Sequence, residues 1–463
     1  MKIKRLILIV LALFPSFLTA QRNYDITFWI RDFEDSVIYI KGAYGKDIVV
    51  LDSIKRSPDY SFKWHAVNQP ERLITVSWQM ENMFSFVLDT ATKFSIGIEP
   101  SGFYWVEGCK ANENYLKYQE ENRQVRLAEY NYKLQMKDDK IADKDSVQHV
   151  YDSLRSHWNR FSDEFYSKYP HNLMSVLVGS LKAPDVPASF LENGNLKQGK
   201  ELEYAYYFRT HYWDDFAFND SRILYTPFFF QRFETYLNKI TMQNSDSIFI
   251  SLKEFCEKAI SKGGKLYANY IINYYLNHYS RMPFSFYERT YVLLTDFVSK
   301  TAKYYSIPPS ELEYHQNLVE KIKPFLPGNK MPNITAVDFG LQKHSLYDLK
   351  HKFTIVYFWA AGCESCEKDL DVLKDFYKQK KDLYDVEIFS IDLSRDMEQS
   401  RKYHSEHPFD WIVLKALPEE IGQKYGLDIE LTPELYILDS NKRILNKTVL
   451  YSQIEESLKQ FSK

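Results

Sequence analysis

The sequence predicts a multidomain protein with a β-sandwich-like amino-terminal domain, an α-helical middle domain and a carboxy-terminal α/β domain. Three observations carry this. The chain has 463 residues, too many for a single hydrophobic core. Between residues 24 and 107, short apolar stretches recur at close intervals with turn residues between them. From 110 to about 325 chain breakers become scarce and apolar spacing turns helical, and beyond Pro327-Gly328 strand and helix patterns alternate.

Ahead of these domains, residues 1–20 read as a secretory signal. Lys2, Lys4 and Arg5 form a positive start, Leu6 to Phe14 an unbroken apolar run, and Thr19-Ala20 a cleavage site after Pro15-Ser16. The run is too short to cross a bilayer unaided, although an uncleaved anchor is the alternative. The expectation is therefore a periplasmic or otherwise exported protein with no stable membrane span after cleavage. A net charge of −3 carries no basic excess and excludes a nucleic-acid binder.

In residues 21–108, Ile26, Phe28 and Ile30 alternate with Asp25, Thr27 and Trp29. Further strands are expected at 37–40, 48–51, 60–64, 73–78, 84–88 and 94–98, with turns at Gly42, Gly45, Pro58-Asp59, Pro70 and Gly102. In residues 109–328, helical spacing marks segments near 112–137, 145–168, 200–213, 227–240, 247–262, 265–279, 286–304 and 310–323. Phe229, Phe233, Tyr236 and Leu237, for example, share one face. The many tyrosines read as packing at core edges, with a peptide-binding groove as the alternative. In residues 329–463, strands are expected at 334–339, 354–359, 386–391, 434–438 and 444–449. Helices are expected at 366–380, 397–404, 419–425 and 454–461.

The chain has only four cysteines, too few for a disulfide-built scaffold. Cys363-Glu364-Ser365-Cys366 falls where the apolar strand 354–359 gives way to a helix. A sulfur at the first turn of a helix faces free amide groups that stabilise a thiolate, which makes Cys363 the expected nucleophile. Cys366, one turn on and more buried, would resolve a mixed disulfide by attacking Cys363. A zinc half-site is the competing reading. It needs two further ligands, and the chain has no second Cys-x-x-Cys and no pattern around His344 or His351, so no metal is expected.

The stretch Lys343 to Leu370, with Leu346 to Lys350 before the strand and Phe358-Trp359-Ala360 before the cysteines, resembles the TlpA/ResA-like thiol–disulfide oxidoreductases of the thioredoxin superfamily. The resemblance covers about 130 residues. The run Val50-Leu51-Asp52-Ser53 followed by Tyr60-Ser61-Phe62 loosely resembles a β-domain found ahead of such domains in exported bacterial proteins. The resemblance implies a thioredoxin fold for residues 329–463 and a redox-active disulfide at Cys363 and Cys366. It implies a cis-proline at Pro433, with Thr432 offering backbone groups to a substrate. Asp369, three residues past Cys366, falls where these proteins carry a glutamate near the cysteines, and could relay a proton. A solvated first-turn acid is the alternative. Trp359 is expected beside the substrate-binding surface, with plain core packing as its alternative. Tyr357 stands where thioredoxin has a buried aspartate.

These features imply a thiol–disulfide oxidoreductase acting on protein thiols and disulfides in cell redox homeostasis. It needs no cofactor, and a membrane reductant donor regenerates it. Ser365 replaces the proline common in the motif, and Glu364 puts a negative charge between the thiols. That charge disfavours the Cys363 thiolate and points to a reductant. Two other functions compete. A peroxiredoxin-like peroxidase would need a threonine three residues before its cysteine, where this chain has Ala360. Alternatively, the amino-terminal domains are a binding protein and the redox domain a helper. Cys109 and Cys256 read as buried free thiols, or as a bridge from the β-domain to the helices.

Overall fold

The computed structural model describes residues 21–33, 35–78, 81–99, 104–137, 144–182, 184, 187–192, 195–282, 287–427, 429, 432–448 and 453–462. The expected signal segment, residues 1–20, lies outside them. Contacts divide the chain into two compact units. One runs to Thr241 and takes in Ala259–Tyr267; the other comprises Met242–Lys258 and Ala268–Lys463. The expected helical stretch 109–328 is thus shared between them.

The first unit begins with eight strands: β1 (Arg22–Ile30), β2 (Val37–Tyr44), β3 (Asp47–Lys55), β4 (Phe62–Gln69), β5 (Arg72–Trp78), β6 (Glu81–Leu88), β7 (Lys93–Ile98) and β8 (Tyr104–Glu107). They form two four-stranded sheets, ordered β4-β1-β7-β8 and β3-β2-β5-β6. Phe28 of β1 meets Phe84 and Phe86 of β6, so apolar side chains from both sheets share contacts. The alternation read in β1 holds for Ile26 and Phe28, both buried. The run Ile48-Val49-Val50 forms a strand but is exposed, because β3 lies at the edge of its sheet.

Helices follow: α1 (Lys110–Lys137), α2 (Lys144–Lys168), α3 (Leu173–Ser180), then a two-residue pair β9 (Leu191–Glu192) and β10 (Asn195–Leu196), and α4 (Glu201–His211), α5 (Phe228–Thr235), α6 (Ser245–Ser261), α7 (Lys265–Tyr279), α8 (Glu288–Thr301) and α9 (Pro309–Ile322). Helix α3 was not legible from spacing. It is apolar on nearly every side, with Leu173, Met174, Val176, Leu177 and Val178 all buried, so it has no amphipathic period to read. Phe229, Phe233, Tyr236 and Leu237 are all buried. The last two lie in a π-helical turn that continues α5.

In the second unit a seven-stranded sheet spans β11 (Thr335–Asp338), β12 (Lys343–Ser345), β13 (Phe353–Trp359), β14 (Val386–Asp392), β15 (Ile412–Lys415), β16 (Glu434–Asp439) and β17 (Ile444–Thr448). Its order is β12-β11-β15-β14-β13-β16-β17. The helices α10 (Glu364–Tyr384), α11 (Met397–Glu406), α12 (Pro418–Tyr425) and α13 (Ile454–Ser462) complete it. Two strands escaped the sequence reading. β12 and β15 have three and four residues, too few to display a period of two. Helix α10 is also longer than expected at both ends.

β13 is buried along its whole length and is parallel to β14 and antiparallel to β16. Its residues alternate between two cores. Ile355, Tyr357 and Trp359 pack with Leu370 and Leu373 of α10, whereas Val356 and Phe358 pack with Ile421 of α12. A strand covered on both faces reads as a continuous apolar run, which is why Phe353 to Trp359 was conspicuous in the sequence. Burying each such side chain stabilises the fold by about 1.5–3 kcal/mol. The sheet therefore provides a rigid base, and the carboxyl ends of β13 and β14 open at one edge of it. Among the described residues no helix is long and apolar enough to cross a membrane.

Candidate functional site

The chain leaves β13 at Trp359, turns through Ala360-Ala361-Gly362 and enters α10. Gly362 holds a φ of +82°, a left-handed conformation that side chains resist, and this turn delivers Cys363 to the helix cap. Cys363 is the N-cap of α10, its sulfur accepting the Cys366 N–H at 3.3 Å. Cys363 and Cys366 are joined as a disulfide with Cα atoms 5.2 Å apart. The pair is asymmetric: Cys363 is half-buried, whereas Cys366 is 0% exposed within the core beneath α10. When the bond is reduced, the amide donor and the helix terminus both favour negative charge on Cys363.

Gly362→Ala should destabilise the protein by about 1–2 kcal/mol, the cost of a left-handed conformation for a residue with a Cβ. That Cβ would also lie 2.3 Å from the Gln399 amide nitrogen, so the Gln399 side chain must swing aside. Urea unfolding reads the loss of stability.

Opposite the pair, the Thr432–Pro433 peptide bond is cis. The Thr432 carbonyl oxygen lies 3.7 Å from the Cys363 sulfur, and both Thr432 and Pro433 are half-buried. Asp369 is half-buried on α10, one turn beyond Cys366. Glu364 is exposed and paired with Lys368 at 2.7 Å, which offsets part of the charge that the sequence places beside the thiols. The Gly362 N–H donates to a second acid, Glu367, at 3.0 Å. A cleft of about 870 Å³ opens beside the pair, bounded by Ala360, Ala361, Ser394, Arg395, Glu419 and Thr432.

Trp359 requires a correction. It is 1% exposed and packs against Tyr403 and Phe409, so it sits in the core and cannot touch a substrate. Burial of the neighbouring Tyr403 pushes its phenol up to about 12. Tyr357 is also fully buried, and its hydroxyl donates to the Cys366 carbonyl at 3.1 Å, tying the central strand to the first turn of α10. Cys109 and Cys256 are separate buried free thiols. Burial pushes Cys109 above its ordinary value of 9.0 and Cys256 well above it, so both are kept as neutral thiols.

The sequence reading also missed Asp392 and Ser394 at the end of β14. Asp392 is fully buried and pairs in register with Trp359, while Ser394 Oγ accepts the Ala361 N–H at 2.7 Å. One signal was available. A carboxylate at the carboxyl end of a parallel strand, where such sheets place their sites, is that signal.

Among protein families, the AhpC/TSA family matches residues 327–447, and a domain of unknown function (DUF5106) matches residues 171–322. The thiol-disulfide oxidoreductase ResA of Bacillus thuringiensis is 24% identical over 136 residues, covering 29% of this chain and 76% of that protein. ResA of Geobacillus thermodenitrificans is 21% identical over 135 residues, covering 29% and 74%. Among solved structures, a thioredoxin-like protein from Bacteroides caccae is 21% identical with a TM-score of 0.48, covering 61% of this chain and 98% of that one. A domain of a possible thiol-disulfide isomerase from Cytophaga hutchinsonii is 28% identical with a TM-score of 0.27, covering 30% and 93%.

A central parallel pair of strands, an antiparallel β16–β17 edge and a cysteine pair capping the helix after β13 define the carboxy-terminal region as a thioredoxin fold built for dithiol chemistry. Over this region the chain is similar to the ResA thiol–disulfide oxidoreductases, which supports a TlpA/ResA-like oxidoreductase of that superfamily.

Proposed function

We propose that this protein is an exported, periplasmic reductant of protein disulfides acting through Cys363 and Cys366. The observation that carries this reading is the asymmetry of the pair, with a reachable sulfur at the helix cap and its companion sealed behind it. In the reduced protein the Cys363 thiolate attacks a substrate disulfide. One substrate sulfur leaves as a thiolate and takes up a proton, and a mixed disulfide remains on Cys363. Cys366, having lost its proton, then attacks the Cys363 sulfur. The second substrate thiol departs, and the enzyme is left with the Cys363–Cys366 disulfide. Two electrons have passed to the substrate, and a dithiol donor, which we take to be a membrane protein, restores them. Asp369 serves as the proton acceptor for Cys366, and Thr432 and Pro433 form the surface against which the substrate backbone lies.

The rest of the chain fits an accessory role. Residues 21–108 act as a sandwich-like accessory domain and 109–328 as a helical domain, both preceding the redox domain 329–463. Presentation of partners to the cysteine pair is the work we assign to them.

The match to the AhpC/TSA family favours one second reading, a peroxidase. Ala360 stands where such chemistry needs a threonine, which weighs against it. One experiment separates the two. With dithiothreitol as donor, the purified protein should accelerate insulin reduction and leave hydrogen peroxide unconsumed. Peroxide consumption without insulin reduction would reverse the assignment.

A further inference from the structure

Behind the cysteine turn lies a cluster of buried polar groups that thiol exchange itself does not use. Asp392, Ser394 and Ser400 are all essentially buried. The Asp392 carboxyl accepts three hydrogen bonds. The Ser394 N–H donates to Oδ1 at 2.8 Å, the Ser394 hydroxyl donates to the same oxygen, and the Ser400 hydroxyl donates to Oδ2. A hydroxyl has one proton to give. With that proton committed to Asp392, the lone pairs of Ser394 Oγ are turned toward the Ala361 N–H, 2.7 Å away. Ala361 stands two residues before Cys363. The Lys415 ammonium closes the cluster from β15, donating to the carbonyls of Ser394 at 2.6 Å, Ala416 at 3.1 Å and Asp392 at 3.2 Å. Burial pulls Lys415 below its ordinary 10.5, and the Asp392 charge opposes that pull.

We infer that Ser394, oriented by Asp392, is a positioning residue that fixes the turn Ala361–Cys363 and so aims the Cys363 sulfur at the Cys366 N–H. The inference rests on Cys363 being the attacking thiol. Between the last residue of β13 and the helix cap, the Gly362 N–H is taken by Glu367 of the helix itself, whereas the Ala361 N–H is taken by Ser394, which ties the turn to the neighbouring strand segment. The main-chain bond from the Leu393 N–H to the Trp359 carbonyl, at 2.7 Å, locks the segment carrying Ser394 to the strand that starts the turn. A small displacement of a reacting atom costs on the order of a hundredfold in rate, so a single hydrogen bond at this place is worth more to chemistry than to folding.

The test compares Ser394→Ala and Ser394→Thr with the unsubstituted full-length protein. Two readouts are taken in each: the second-order rate of reaction with a small aromatic disulfide, and the pH midpoint of thiolate absorbance at 240 nm. Ser394→Ala is expected to slow the reaction roughly tenfold to a hundredfold and to move the midpoint upward. Ser394→Thr, which keeps the hydroxyl, is expected to restore both. A Ser394→Ala protein with a lower melting temperature but an unmoved midpoint and rate would overturn the inference and leave a structural role only. If the unsubstituted protein itself fails to react, it is the assignment of Cys363 that falls. Should Ser394→Ala not fold, amide exchange in the unsubstituted protein decides the matter. Slow exchange at Ala361 in both redox states supports the anchor, and exchange at the rate of an open turn overturns it.

Discussion

Cys363→Ser brings insulin reduction down to the rate of dithiothreitol alone, the largest effect expected of any single substitution in this chain. A serine hydroxyl at the same cap keeps the hydrogen bond from the Cys366 N–H, so the helix start survives while the nucleophile is lost. Cys366→Ser behaves differently. The attacking sulfur remains, but nothing behind it can displace the substrate, and the protein accumulates as a mixed disulfide. A non-reducing gel and intact-mass measurement should show the adduct on Cys366→Ser and its absence from Cys363→Ser. Adducts on both variants in equal amount would mean that the two sulfurs are interchangeable, against the contrast between a half-buried Cys363 and a sealed Cys366. Mass spectrometry of the partner trapped on Cys366→Ser identifies the natural substrate in the same experiment.

Much of this site was legible because its parts carry strong local signals. An apolar strand running into Cys-x-x-Cys is a pattern few other structures produce, and Thr432-Pro433 stands just before a strand in the same segment. What stayed hidden did so for physical reasons. Trp359 lies one position from the turn, and sequence distance cannot tell whether a side chain faces the cleft or the core. The pleat of β13 sends it inward, with Tyr357 and Ile355. Ser394 acts through a tertiary hydrogen bond to Ala361 across 33 residues, a separation at which no local pattern exists, and Asp392 acts through Ser394 and Ser400. α3 was hidden by uniform burial, and β12 and β15 by brevity. Edge strand β3 shows the converse, since its three exposed apolar residues form an ordinary strand that only its neighbours reveal as an edge.

Lys447→Met is expected to destabilise the protein by about 3 kcal/mol at pH 7, the cost of leaving buried carboxylates without their counter-charge. Lys447 Nζ on β17 lies 2.7 Å from Glu288 of α8 and 2.7 Å from Glu434 at the start of β16, and all three side chains are largely buried. Glu434 directly follows Pro433, so the triad sits under the loop that faces the cysteines. Burial alone would pull the Lys447 ammonium down, but the charges of Glu434 and Glu288 together outweigh it, and its pKa stands above the ordinary 10.5. Its contribution to stability is therefore complete below 10.5 and is lost as pH rises through the folded value. Burial pushes the Glu288 carboxyl above its ordinary 4.5, with Lys447 holding it back. Removing the lysine leaves that upward push unopposed. The folded form of the variant then favours the protonated acid, and its stability falls as pH climbs from 4.5 through the raised value. Urea unfolding of Lys447→Met should accordingly show a small loss at pH 4 and the full loss at pH 7. Adding Glu288→Gln and Glu434→Gln to Lys447→Met should recover most of it, because uncharged partners no longer need a cation. Equal losses at both pH values, with no recovery in the triple variant, would show that Lys447 acts through its ammonium over the Tyr436 ring rather than through the two carboxylates.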